Sequence, residues 1–205
     1  MTHHPADYAV AVRHLRRVDP VMRCVVDQVG PCQLRPQGAR FHLLARSILS
    51  QQISTSAAAT IRRRLLAQMP SRQLSAQGLL QLSDADFHAV GVSRQKRSYL
   101  RDLAERSMQG EVGFRRFSRM HDEDIISELV TVKGIGRWTA QMFLMFGCGR
   151  PDVFAPDDLG LKNAMIRLYA LDDPDRNKLC EIASVWRPWR SIASWYLWRS
   201  LDTRG

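Results

Sequence analysis

Cysteine is scarce in this chain of 205 residues: Cys24, Cys32, Cys148 and Cys180, with no CxxC pair among them. That spacing excludes the usual zinc and iron–sulfur frameworks and fits buried free thiols in a reducing compartment. Long apolar runs are missing too, since none approaches the ~20 residues that span a bilayer. The opening MTHHPADYAVAV has neither the basic start nor the apolar core of a secretory signal. These absences predict a soluble, intracellular (cytoplasmic or nucleoid) protein with no membrane partner and no metal. Lysine is rare as well, 4 residues against 26 arginines, and 20 acidic residues leave a formal charge of +10. An arginine-rich excess of that size favours a polyanionic partner, because guanidinium pairs bidentately with phosphate. Charge alone does not separate DNA, RNA and an acidic membrane surface.

Helical periodicity is what the sequence has in quantity. Phe41, Leu44, Ala45, Ile48 and Leu49 fall on one stripe. Ala58, Ile61, Leu65 and Leu66 continue the pattern on a second helix, with Arg62, Arg63 and Arg64 on its other face. Ser83 with Asp86 reads as a capping box opening a short helix that stops at Gly91. Ser93 caps the next, which buries Leu100, Leu103, Ala104 and Met108 before Gly110. Asp122 opens another, with Ile125, Ile126, Leu129 and Val130 inward. Further helices fit 137–146, 158–170, 174–184 and 189–201, and two more precede the breaker pair Gly30-Pro31. No stretch alternates at period two, and there is no linker or solenoid repeat. The chain therefore reads as a single all-α unit.

The segment Leu129-Val130-Thr131-Val132-Lys133-Gly134-Ile135-Gly136-Arg137-Trp138-Thr139-Ala140 is the most informative. One apolar helix stops, two glycines flank an aliphatic residue, and another apolar helix starts at once. Glycine at 134 and 136 permits positive φ and close approach of a ligand to the backbone. Ile135 can anchor the turn. Free N–H groups at the new helix suit a phosphate oxygen, and Lys133 and Arg137 add charge.

This run resembles the helix-hairpin-helix of the HhH-GPD DNA glycosylase superfamily, and GIGRWTA is similar to the hairpin of its DNA-3-methyladenine glycosylase II branch. The resemblance extends from about Phe41 to Leu201. It implies a two-lobed helical fold with the active site in the cleft between lobes. One lobe would be about 40–147, and the other would combine 1–39 with 148–205. About forty residues precede the first matched helix, so a version without an extra N-terminal domain is expected.

Downstream lies Val153-Phe154-Ala155-Pro156-Asp157-Asp158-Leu159-Gly160-Leu161. Locally, proline and an acidic pair before a helical run mark a helix start. The resemblance implies more: Asp158 falls where the superfamily keeps its catalytic aspartate, leaving Asp157 as cap or loop-ordering residue. Cleaving a glycosidic bond builds positive charge on the sugar, and a fixed anion stabilises it. The first turn of a helix favours a carboxylate there, which could also orient the attacking water.

Members that also cut the strand carry a lysine where this sequence has Trp138. An amine can form a Schiff base with the sugar and an indole cannot, so no lyase activity is expected. A target base must leave the stack before cleavage, and Trp138 and Trp198 are the expected walls of its pocket, where a cationic base gains ~0.5–2 kcal/mol over an indole. Trp186-Arg187-Pro188-Trp189-Arg190-Ser191 resembles a run of the same branch and reads as a helix start with Trp189 in the core. Trp195 and Tyr196 are read as packing. The loop Leu49-Ser50-Gln51-Gln52-Ile53-Ser54 matches the superfamily's wedge, with Gln52, beside Ile53, filling the space of the everted base. DNA contacts are thus expected from Lys133, Gly134, Ile135, Gly136, Arg137, Thr139, Gln52 and Ile53. His42, His88 and His121 show no ligand spacing.

The resemblance implies a monomeric glycosylase acting on alkylated purines such as 3-methyladenine in double-stranded DNA. It implies no organic cofactor, and at most a monovalent cation at the hairpin carbonyls. Two alternatives stand beside it: a non-catalytic binder of lesions or DNA structures on the same fold, and a glycosylase for oxidised, deaminated or mismatched bases. Asp158 argues against the first. Trp138 and the cysteine spacing argue against the lyase and iron–sulfur branches of the second.

Overall fold

Apolar residues at helical spacing fold into twelve α-helices, with no strand among the described residues. The computed structural model describes residues 5–38, 40–69 and 72–202, so the first four residues of the N-terminal stretch lie outside it. No described helix is long and apolar enough to cross a membrane. The chain divides into a central unit, Ala39–Phe143, and a terminal unit made of Met1–Gly38 and Leu144–Gly205.

The central unit holds α3 (Phe41–Ser50), α4 (Thr55–Ala67), α5 (Ala76–Gln81), α6 (Asp84–Ala89), α7 (Arg94–Gln109), α8 (Asp122–Leu129) and α9 (Arg137–Phe143). Helix α3 buries Leu44, Ala45, Ile48 and Leu49 and packs on α4, α7 and α9. The capping box opening α6 forms as expected: Asp86 N donates to Ser83 Oγ (3.2 Å) while Ser83 N donates to Asp86 Oδ2 (2.8 Å). Ser93 accepts from Lys96 N at the start of α7, and Gly110 ends it in the left-handed region. Helix α5 has too short an apolar pattern to be found by period, and its Ser75 cap and its packing on α7 define it. Phe41, Phe114, Phe117 and Phe143 form an edge-to-face cluster with ring centroids 5.5–6.3 Å apart. Two expected core positions are corrected. Met108 is 61% exposed and Val130 42% exposed, because they sit in the last turn of α7 and just past α8, where each helix leaves the core.

The terminal unit holds α1 (Pro5–Val18), α2 (Pro20–Val29), α10 (Leu159–Tyr169), α11 (Arg176–Ser184) and α12 (Arg190–Asp202). Buried Asp19 is its hub. Oδ1 accepts from Val21 N (2.9 Å) and Met22 N (3.1 Å) to cap α2, and Oδ2 accepts from the Tyr169 hydroxyl (2.6 Å) and Trp186 Nε1 (2.8 Å). The Tyr196 hydroxyl donates to Gly30 O (2.9 Å), joining α12 to the end of α2. Trp186, not Trp189, is therefore the core tryptophan of the WRPWRS run: Trp186 has no exposed surface, whereas Trp189 is half-buried. Asp19 lies 167 positions upstream of that indole, so local pattern could not choose between them. Helix α9 also ends earlier than periodicity predicts, because Leu144–Cys148 widens into a π-type turn. Cys24 and Cys180 are exposed rather than buried, and Cys32 and Cys148 are intermediate.

Candidate functional site

The hairpin between α8 and α9 is braced from three directions within the central unit. Gly134 adopts φ 79°, and a Cβ there would lie 2.1 Å from Tyr99 Cδ2, so the Tyr99 ring leaves room only for glycine. Its carbonyl accepts from Gln51 Nε2 at 2.8 Å, tying the hairpin to the loop after α3. Lys133 N donates to Asp102 Oδ2 on α7 at 2.9 Å, and the same oxygen accepts from Arg106 Nε at 3.1 Å. Lys96 Nζ in turn donates to Leu49 O at 2.7 Å, capping the end of α3. Ile135 is buried, as an anchor should be. Gly136 departs from expectation: its φ is not positive, and a Cβ there would meet nothing within 4 Å. It leaves the hairpin surface open rather than serving its geometry.

The basic side chains here are not bare. Arg137 donates to both oxygens of Glu123 (2.6 and 2.8 Å), and Lys133 Nζ lies 3.9 Å from Asp102. Thr139 is only 6% exposed. Trp138 is 45% exposed on α9. In the loop after α3, Gln52 (φ 57°) and Ile53 are both exposed. The Gly134 carbonyl faces the Gln51 amide donor, and that of Gly136 accepts from Ala140 N. No cluster of His, Cys, Asp and Glu suited to a metal occurs among the described residues.

In the terminal unit, Asp158 is held at the start of α10. It is buried to 9% exposure, and Oδ1 accepts from Leu161 N (2.8 Å) and from Trp198 Nε1 on α12 (2.9 Å). Asp158 itself is thus the helix cap, correcting the expectation that Asp157 caps; Asp157 is exposed and sits 3.9 Å from Arg176. Gly160 makes the arrangement fit, since a Cβ there would come within 3.1 Å of both Asp158 Oδ1 and Trp198 Cδ1. Phe146 stacks, tilted by 30°, on Trp198 with centroids 5.7 Å apart. Arg167 of α10 donates to Ser200 O of α12, locking the two helices that carry the pair. A carboxylate whose one oxygen is fixed by two N–H donors is preorganised, so little reorientation is needed when positive charge develops beside it.

Residues 45–188 match the family described as HhH-GPD superfamily base excision DNA repair protein. The chain belongs to that superfamily. It is 32% identical over 169 residues to the putative DNA-3-methyladenine glycosylase YfjP of Bacillus subtilis, covering 79% of this chain and 59% of that relative. Identity is 30% over 195 residues to DNA-3-methyladenine glycosylase 1 of Schizosaccharomyces pombe, covering 91% of this chain and 85% of the relative. The solved S. pombe 3-methyladenine DNA glycosylase (Mag1) in complex with abasic DNA superposes with a TM-score of 0.81 at 29% identity, over 94% of this chain and 96% of that one.

Within this superfamily member, the structure joins Asp158 to Trp198 in the terminal unit and joins Gly134 to the Gln51–Ile53 loop in the central one. Trp138 belongs to the central unit. Sequence reasoning missed Asp102, Tyr99 and Phe146, and assigned no role to Gln51, which reaches the hairpin. Gln51 stood in the quoted loop, but only its reach across 83 positions to Gly134 identifies it.

Proposed function

We propose that this HhH-GPD superfamily member is a monofunctional DNA glycosylase that hydrolyses the N-glycosidic bond of alkylated purines, such as 3-methyladenine, in duplex DNA. The observation that carries the proposal is the buried Asp158 carboxylate, held through Oδ1 by Leu161 N and Trp198 Nε1 and flanked by the Trp198–Phe146 aromatic pair. The names of the relatives, 3-methyladenine glycosylases in a bacterium and a yeast, point to the same substrate class.

The chemistry follows from the charge that must be met. As the base departs, the deoxyribose becomes oxocarbenium-like, and Asp158 supplies the opposing anion. A preorganised group of this kind contributes roughly 3–4 kcal/mol. Water is the nucleophile, and Asp158 orients it or takes its proton. An alkylated purine is already cationic, so it leaves without a dedicated acid, and an indole face attracts it. Trp198 and the exposed Trp138 each offer such a face. The open backbone at Gly136, with Lys133, Gly134, Ile135 and Arg137 around it, would grip the phosphate backbone, and Gln52 and Ile53 would occupy the space left by the everted base. No amine stands at position 138, so no Schiff base forms there and the abasic strand stays intact.

The test is to incubate the protein with duplex DNA methylated to give 3-methyladenine and to analyse free bases and strands separately. The expected outcome is released 3-methyladenine with unbroken abasic strands and no borohydride-trapped adduct. A trapped covalent adduct would refute the monofunctional assignment, and the absence of any released base would refute the activity.

A further inference from the structure

From Gln28 to Ser83 the sequence contains no Asp or Glu and seven arginines. Within the central unit, α3 and α4 and the segments flanking them form a groove of three adjoining hollows of about 640, 310 and 360 Å³, lined by residues between Arg40 and Leu74. Arg62 lines all three, and Arg46 lines two of them. Arg40 and His42 stand at one end, Arg63 and Arg72 at another. Among the described residues, no carboxylate lines any of the three hollows. At the hairpin, by comparison, Lys133 and Arg137 face Asp102 and Glu123. Burial, followed by the charges of Arg40 and Arg46, holds the His42 imidazole below its ordinary pKa.

Ser50 and Ile53 line one of the groove's hollows, and Gln51 between them donates to the hairpin carbonyl of Gly134. The turn that would plug the stack is thus in contact with the hairpin through one residue and borders the arginine groove through its neighbours. A plug in a base stack has one sugar–phosphate backbone on each side. We infer that the groove lined by Arg40, Arg46, Arg62 and Arg63 holds phosphodiesters of the DNA strand opposite the one gripped by the hairpin. This rests on the proposed function, and adds to it a second backbone-binding surface whose contacts are electrostatic and indifferent to sequence.

The experiment measures binding to a duplex carrying a stable abasic analogue, by fluorescence anisotropy over a range of salt concentrations. It compares the unaltered chain, Arg40→Gln/Arg62→Gln, and the control Arg13→Gln/Arg17→Gln, which removes the same charge from exposed positions of α1. Each lost phosphate contact lowers the slope of log affinity against log salt by ~0.9, so the groove variant should lose about 2 in slope and bind roughly tenfold or more weakly. The control should keep the slope of the unaltered chain. Methylphosphonates in the opposite strand should weaken the unaltered chain and add nothing to the groove variant. An unchanged slope in the groove variant, an equal fall in the control, or sensitivity to methylphosphonates in the other strand alone would overturn the inference. Base release by the unaltered chain is measured alongside. If it succeeds while the slope is unchanged, only the groove assignment fails; if the unaltered chain neither binds nor releases, both fall.

Discussion

Replacing Trp198 by phenylalanine separates the two things that this indole does. The variant keeps an aromatic ring against Phe146, now 5.7 Å between centroids, and removes only the N–H that reaches Asp158 Oδ1 at 2.9 Å. A hydrogen bond to a charged group is worth about 1.5–3 kcal/mol. At 9% exposure Asp158 has little access to replacement water, and Leu161 N becomes the remaining donor of the pair on Oδ1. If the bond positions the carboxylate for the transition state, the loss appears in the chemical step as a fall of roughly 10- to 150-fold. The assay is single-turnover release of 3-methyladenine with protein in excess, so that binding does not limit the rate. Trp198→Leu, which removes the ring as well, should fall further. A Trp198→Phe rate within twofold of the parent would refute the positioning role. A faster rate would mean that the indole restrains the carboxylate rather than aiming it.

Three further outcomes follow from the geometry. Asp19→Ala strips the α2 cap and strands the buried donors of Tyr169 and Trp186, which should cost about 3–5 kcal/mol and lower the melting temperature by roughly 10 °C in calorimetry; a change of a degree or two would deny Asp19 its hub role. Gly134→Ala sets a methyl group 2.1 Å from Tyr99 and forces an L-residue to positive φ, so it should weaken DNA binding, and the second change Tyr99→Ala should recover part of the loss; no recovery would mean that the clash is not what matters. Burial pushes the Cys32 thiol up from 9.0 to about 11, and burial with the Asp19 contact pushes the Tyr169 hydroxyl above its usual range. Both groups are raised in the folded state, so their contribution is complete below the unfolded pKa values and is lost as pH rises, from about 9 upward for Cys32 and about 10 upward for Tyr169. Denaturant midpoints should therefore fall across that range, with Cys24 and Cys180 labelled by thiol reagents well before Cys32; equal labelling rates at pH 9 would contradict this.

Local chemistry was legible in the sequence wherever it decides structure alone. The stripe of α3, the Ser83–Asp86 box, the Ser93 and Gly110 ends of α7 and the buried Ile135 all follow from spacing within a few residues. Long-range partners set what was illegible. Asp158 rather than Asp157 caps α10, and its second donor comes from Trp198, 40 positions away. Asp102 braces Lys133 across 31 positions, and no periodic signal marks an acidic residue for that task. Trp186 outranks Trp189 because of Asp19. The resemblance singled out the aspartate segment, but only the fold shows how its carboxylate is held.

The most direct measurement is base release by Asp158→Asn, which keeps the size and hydrogen-bonding shape of the side chain and removes its charge. With binding to abasic-analogue duplex followed in parallel, excision should fall by roughly 10²–10³-fold or more while the variant still binds DNA. Excision at the rate of the unaltered chain would show that no negative charge at position 158 is needed.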